Sequence, residues 1–306
     1  MTGPAKARPR SPLSVRNGVT PSRVWLPPGP WPTLADFLLE RFVHLSPDIL
    51  LARLAQGDIV DEHGIAQQGD SSYIPLRWLW YYREVPLETV VPFDLPVLFR
   101  DRYLVAVDKP HFLASIPGGR YLQETALIRL RRALDMPELS PIHRLDRDTA
   151  GVMLFCADPA SRGAYQTLFQ SRAVHKEYEA IAPLSAKVAL PQVYRSCIQQ
   201  RAGHFIMDEV PGEPNSETGI ELIHAGEWGH YRLQPITGRK HQLRVHMAAL
   251  GVPIRHDMFY PILCQPSDTD DFERPLQLLA RAIAFTDPIS GVARRFESQR
   301  SLLGVA

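Results

Sequence analysis

Apolar and polar positions alternate along this chain in two distinct registers, and the change from one to the other marks its organisation. After Pro27-Pro28-Gly29-Pro30, Leu34, Phe37, Leu38 and Phe42 recur at helical spacing behind Thr33 and Asp36, the spacing of an N-terminal capping box. A second helix is expected after Ser46 and Pro47, with Ile49, Leu50 and Leu54 on one face and Gly57 ending it. Asp58 to Asp61 and Tyr73 to Tyr82 read as strands around a Glu62-His63-Gly64 turn. Beyond a link over Glu88 to Asp94, the period shortens to that of strands. Leu95 to Phe99 and Tyr103 to Val107 flank a turn. Leu122 to Leu134 reads as a helix, with Leu122, Leu127, Leu130 and Leu134 inward and Arg129, Arg131 and Arg132 outward. The apolar run Val152 to Phe155 reads as a buried strand, Pro159 to Arg172 as a helix and Lys176 to Ile181 as a strand. Strands dominate the remainder, apart from a helix over His241 to Leu250 that Gly251 and Pro253 close. The pattern predicts an α+β protein: a small helix–helix–strand–strand module before a larger mixed domain.

Composition sets the outer bounds. At 306 residues with 45% hydrophobic side chains, the chain can build one large and one smaller core. No apolar run approaches the roughly 18 residues of a membrane helix, and the amino-terminal stretch lacks an apolar signal core, so a soluble cytoplasmic protein is expected. Cys156, Cys197 and Cys264 are scattered and odd in number, which fits buried free thiols rather than a zinc site or disulfide framework. Net charge is only +1, but its distribution is uneven. Lys6, Arg8, Arg10, Arg16 and Arg23 lie in a Pro-, Ser- and Gly-rich opening segment without an acid, expected to be a disordered basic arm over residues 1–25. It either meets phosphates or merely keeps the chain soluble. The acidic stretch Asp268 to Glu273 is expected to be a solvated loop.

The candidate chemistry centres on Pro141-Ile142-His143-Arg144-Leu145-Asp146-Arg147-Asp148-Thr149-Ala150-Gly151. One carboxylate, Asp146, stands between two arginines and before a turn into a buried strand. Cationic neighbours favour the charged form of an acid, and a carboxylate can attack an electron-poor carbon without a metal. An ordinary surface ion pair is the competing reading.

His143 to Phe155 resembles the HRLDxxTSG-LLLF signature of the RluA-type RNA pseudouridine synthases. Leu104-Val105-Ala106-Val107-Asp108-Lys109-Pro110 resembles the strand and Lys-Pro motif that opens their catalytic domain. Val174 to Ala180, Pro235 to His246, Leu279-Ala280-Arg281 and Phe285 to Pro288 follow in the family's order, so the resemblance covers most of residues 95–298. It implies a bent, mainly antiparallel sheet flanked by helices over residues 89–306. Residues 26–88 resemble a degenerate S4-like domain, either an RNA-binding or a purely structural module.

The resemblance implies isomerisation of uridine in RNA to pseudouridine, ribosomal RNA first and transfer RNA second, by a monomer without cofactor or metal. It assigns Asp146 as the essential nucleophile, acting at base C6 or at the sugar; Tyr178 as the tyrosine that stacks on the target base and assists proton removal at C5; and Arg244 as the cation paired with the acid. Arg144, His143, Arg239 and Lys109 are the expected substrate-binding residues: Arg144 resembles the arginine that replaces the extracted nucleotide, His143 supports its loop at the RNA, and Arg239 and Lys109 are candidate phosphate contacts. Departures are Ala150 for the usual Ser, Lys240 for Thr, and His256-Asp257-Met258 for Gly-Asp-Pro. The competing reading is an RNA-binding or RNA-folding module without turnover. A metal site built from His241, His246, His256 and Asp257 is disfavoured, because a spacing of five turns the first two about 140° apart on a helix.

Overall fold

The computed structural model describes residues 10–43, 45–83, 88–264 and 269–303. The chain divides into two compact units, Met1–Leu87 and Glu88–Ala306.

In the first unit, β1 (Ser22–Trp25), α1 (Leu34–Arg41), α2 (Pro47–Ala55), β2 (Ile59–Val60) and β3 (Trp78–Tyr81) form a three-stranded antiparallel sheet, ordered β1-β3-β2, with two helices. The capping box forms: Thr33 Oγ1 accepts from Asp36 N at 3.2 Å while the Asp36 carboxylate accepts from Thr33 N at 3.0 Å. Ser46 makes no side-chain cap bond, leaving Pro47 to start α2 through its fixed φ. The core gathers Val24, Leu26, Leu34, Phe37, Leu38, Leu50, Leu54, Ile59 and Leu79. Ile49, expected on that face, is exposed instead. The disordered arm expected over residues 1–25 is corrected at its end, where Val24 and Leu26 supply enough buried apolar surface to order β1. Residues 1–9 of that arm lie outside the described residues.

The second unit is a mixed sheet. Its strands are β4 (Val97–Arg100), β5 (Leu104–Lys109), β6 (Ser140–Pro141), β7 (Ala150–Cys156), β8 (His175–Ala182), β9 (Gln192–Gln200), β10 (Met207–Val210), β11 (Ser216–Ala225), β12 (Gly229–Pro235), β13 (Leu278–Thr286) and β14 (Ala293–Glu297). The path runs β10-β9-β11-β12-β8-β13-β7-β5-β4, with β14 on β13 and β6 on β7. Every pairing is antiparallel except β13 with β7. At that parallel contact Gly151, at φ +112°, lies against Ala280, and any Cβ there would collide with the Ala280 carbonyl oxygen. The glycine after Thr149-Ala150 is thus fixed by strand packing.

Three helices complete this unit: α3 (Ala126–Ala133), α4 (Arg162–Gln170) and α5 (Gln242–Ala249). The α3 helix starts four residues later than expected because Glu88 accepts from the backbone N–H groups of Leu122, Gln123 and Glu124, and Thr125 then caps Ile128 N. Its arginines are largely engaged locally: Arg129 donates to Phe93 O, Val91 O and Glu124, and Arg131 to Leu139 O. Cys156 and Cys197 are buried, but Cys264 is exposed, contrary to its sequence reading. Among the described residues, no helix is long and apolar enough to cross a membrane.

Candidate active site

Asp146 lies in the turn between β6 and β7, its side chain 29% exposed. The turn is clamped from the segment following β5. Ser115 Oγ donates to Leu145 O at 2.6 Å and accepts from Leu145 N at 3.1 Å. Lys109 Nζ donates to Arg147 O at 3.0 Å, and His111 Nδ1 lies 2.7 Å from Asp148 O. Asp146 O accepts from Thr149 N at 3.2 Å, so four successive carbonyls, from Leu145 to Asp148, are held. A carboxylate mounted on such a turn is pre-positioned without ordering entropy lost at the reaction.

Arg244 reaches this carboxylate from α5. Its guanidinium is 1% exposed and bonds Asp257 in bidentate fashion, Nε to Oδ2 at 2.8 Å and Nη2 to Oδ1 at 2.5 Å. Asp257 in turn accepts from Phe259 N and Tyr260 N. The remaining nitrogen, Nη1, is buried without a hydrogen-bond partner and lies 3.8 Å from Asp146 Oδ2. Burial opposes the Arg244 charge, but the Asp257 hydrogen bonds and the charges of Asp257 and Asp146 outweigh it and raise the group above its ordinary range. The arrangement fixes a positive charge behind the acid and leaves one donor aimed into the site.

His241 and Tyr178 complete the surroundings. His241 adopts a left-handed backbone (φ 56°) immediately before α5, bringing Nε2 to 4.0 Å from Asp146 Oδ1 while Nδ1 contacts the Tyr260 hydroxyl at 2.9 Å. Burial holds His241 down at about 4 against the opposing pull of Asp146. Its ring is therefore neutral near pH 7. Tyr178, on β8, packs against the two core clusters of Val105, Met153 and Leu145 and of Leu233, Leu243 and Met247. Burial, and then the Asp146 charge, push its phenol above the ordinary tyrosine range, so it is a neutral ring and donor.

A family model described as RNA pseudouridylate synthase matches residues 103–249. The dual-specificity RNA pseudouridine synthase RluA of Vibrio vulnificus is 34% identical over 219 residues, 67% of this chain and 83% of that protein. The chain belongs to the RluA-type RNA pseudouridine synthases. An RNA pseudouridine synthase of Synechocystis is 30% identical over 250 residues, 78% of this chain and 84% of that one. RluA of Escherichia coli K12 is 32% identical over 67% of this chain and 92% of its own. Among solved structures, human RNA pseudouridylate synthase domain containing 1 gives a TM-score of 0.55 at 21% identity, covering 70% of this chain and 86% of that chain. Domain containing 4 gives 0.52 at 26%, covering 67% and 88%. This RluA-type synthase is thus an enzyme that isomerises uridine in RNA.

Of the residues expected at the site of this synthase, the structure brings Asp146, Arg244 and Tyr178 together. Arg144 is exposed and makes no ion pair among the described residues, leaving its guanidinium available. Arg239 is exposed, its Nε donating to Asn215 O at 3.1 Å. Two expectations are corrected. Lys109 is fully buried, and its ammonium donates to Pro110 O, Leu113 O and Arg147 O, so no proton is left for a phosphate. Burial lowers it to about 7, with Asp148 and Asp146 pulling the other way. His143 accepts from Leu154 N through Nε2 at 3.0 Å and stacks on Phe169, which makes it a brace for β7 rather than an RNA contact.

The acidic loop also departs from its expected role: Asp270 pairs with Arg147 beside Asp146. Its Asp268 lies outside the described residues. Asp257, His241, Tyr260, Ser115 and His111 were not singled out as active-site residues from sequence. Two of them carried a signal: Asp257 as the acid of the displaced Gly-Asp-Pro motif, and His241 by lying inside the Pro235 to His246 match. His246 is elsewhere, buried among Ser196, Ser216 and Thr218.

Proposed function

We propose that Asp146 carries the isomerisation, Tyr178 receives the target base and Arg244 holds the acid in place. The observation that carries this reading is the buried, unpartnered Arg244 Nη1 directed at a solvent-accessible carboxylate. In the reaction the C1′–N1 bond of uridine breaks, C1′–C5 forms, the C5 proton leaves and N1 takes one up. Nothing is oxidised and no group is imported, so a single positioned carboxylate can act without a cofactor. Whether it adds to C6 or acts at the sugar, the acid must meet the nucleotide at a fixed distance, which the clamped turn supports. The neutral Tyr178 ring suits stacking and hydrogen bonding better than service as a phenolate base. Arg144, exposed two residues before Asp146, is suited to fill the vacancy left by an extracted base, a step costing a few kcal/mol.

Ribosomal RNA is the leading substrate class and transfer RNA the second. The dual specificity in the names of the RluA relatives supports more than one target. The first unit serves as an S4-like RNA-binding domain, the enzyme acts as a cytoplasmic monomer, and Arg239 lies among its phosphate contacts.

The test is tritium release from RNA labelled at uridine C5, with wild type and Asp146→Asn on ribosomal and transfer RNA separately. Release by wild type and none by the variant is expected. Equal release by both would remove Asp146 from the reaction. RNA binding without release from either pool by folded wild type would favour the binding module.

A further inference from the structure

The first unit carries a cationic aromatic face that the chemistry at Asp146 does not use. In the β1–β3 register Trp25 lies opposite Trp78 and Arg23 opposite Trp80. Strand alternation places these four on one face, where Trp80 is buried and Trp25 and Trp78 are accessible, while Val24 and Leu79 enter the core from the other. Trp25 is 38% exposed, and its ring centroid lies 5.1 Å from that of Trp78. The Arg23 guanidinium sits 4.4 Å from the Trp78 ring centroid and 5.6 Å from that of Trp80, and Arg23 makes no ion pair among the described residues. Arg16 lies 3.8 Å over Tyr82, next after β3. Met1 to Ala35 contains five basic residues and no Asp or Glu, so this positive charge lacks a counter-ion in its own segment.

Ring faces beside unpaired guanidinium groups match a ligand with both flat π-systems and negative charge. Single-stranded RNA offers both at every nucleotide, whereas a duplex hides its base faces. The accessible rings of Trp25 and Trp78 can stack on any base, since every base has a π-face, so recognition here is tolerant of sequence. We propose that the Arg23, Trp25 and Trp78 face is a stacking platform for unpaired RNA bases, with Arg23 and Arg16 meeting the flanking phosphates. The platform rests on the reading that the first unit meets RNA, and it specifies where and in what form.

The probe is a fluorescently labelled 12-nucleotide oligoadenylate, which contains no uridine to be turned over, bound to the full chain and followed by anisotropy. Trp25→Ala should weaken binding about 5- to 150-fold, the range for loss of one stacked base. Trp25→Phe should retain most of the affinity, and Arg23→Gln should reduce the salt slope by about 0.7, the single-strand value for one phosphate. Circular dichroism should match wild type, since Trp25 is exposed. The control is Arg41→Gln, on α1. If it weakens binding while Trp25→Ala does not, the unit meets RNA through its helices and the platform is refuted. If neither changes binding, or wild type does not bind the oligonucleotide, the RNA-binding reading of the unit falls as well. Failure of Asp146→Asn to lose tritium release would leave this measurement untouched.

Discussion

Removing one hydroxyl, by Ser115→Ala, should disable the acid without touching RNA. Ser115 is 5% exposed, and its Oγ both donates to Leu145 O at 2.6 Å and accepts from Leu145 N at 3.1 Å. Leu145 is itself 7% exposed, so alanine leaves a backbone donor and a backbone acceptor unpaired where water reaches poorly. Each unsatisfied buried group costs about 1–3 kcal/mol, and partial relaxation brings the expected total to about 2–4 kcal/mol. In a unit of this size that lowers Tm by roughly 4–16 °C. Leu145 directly precedes Asp146, and a misplacement of about 1 Å can cost on the order of 100-fold in rate. We therefore expect kcat for tritium release to fall about 10- to 100-fold at a temperature where the variant is folded, with KM unchanged, because the lost contacts never meet substrate. Ser115→Thr, which keeps the hydroxyl, should recover part of the rate. A Ser115→Ala enzyme within twofold of wild type in kcat and with an unchanged Tm would refute the clamp.

The corrected role of Lys109 separates cleanly from the phosphate contact expected of it: Lys109→Met should lower kcat and leave the salt dependence of RNA binding intact, whereas a phosphate contact would do the reverse. Acid stability should follow the buried histidines, since burial lowers His143 to about 3 and His111, His241 and His246 to about 4. Between these values and the unfolded value near 6.5 the unfolded chain binds more protons, so stability is present above about 6.5 and is lost as pH falls. His143→Gln, which keeps an acceptor for Leu154 N, should flatten the slope of unfolding free energy between pH 6.5 and 5 by up to about 1.4 kcal/mol per pH unit, and a slope equal to wild type would contradict it.

The periodicity of the chain made the two-part organisation and most element positions legible, because α1, α2, β5 and β7 each pair an apolar repeat with a local start or stop signal. The start of α3 was hidden for a reason no local pattern contains: Glu88, 34 residues before Leu122, takes the donors of its expected first turn. The same distinction divides the site. Asp146, Tyr178 and Arg244 could be proposed together because their motifs carry them as units. Asp257 was passed over because His256-Asp257-Met258 lacks the usual flanks, although it holds both ends of the Arg244 fork. Lys109 was misread because a lysine in sequence reads as a surface cation, and only the fold shows three carbonyls converging on it. The functional groups are local in sequence, but what fixes their geometry is not. Ser115 reaches Leu145 across 30 positions and Lys109 reaches Arg147 across 38. A motif can therefore nominate the acid, whereas its aim depends on the segment after β5 folding against the turn before β7, so a chain that keeps His143-Arg144-Leu145-Asp146 but loses the 109–115 clamp should retain the motif and lose the rate.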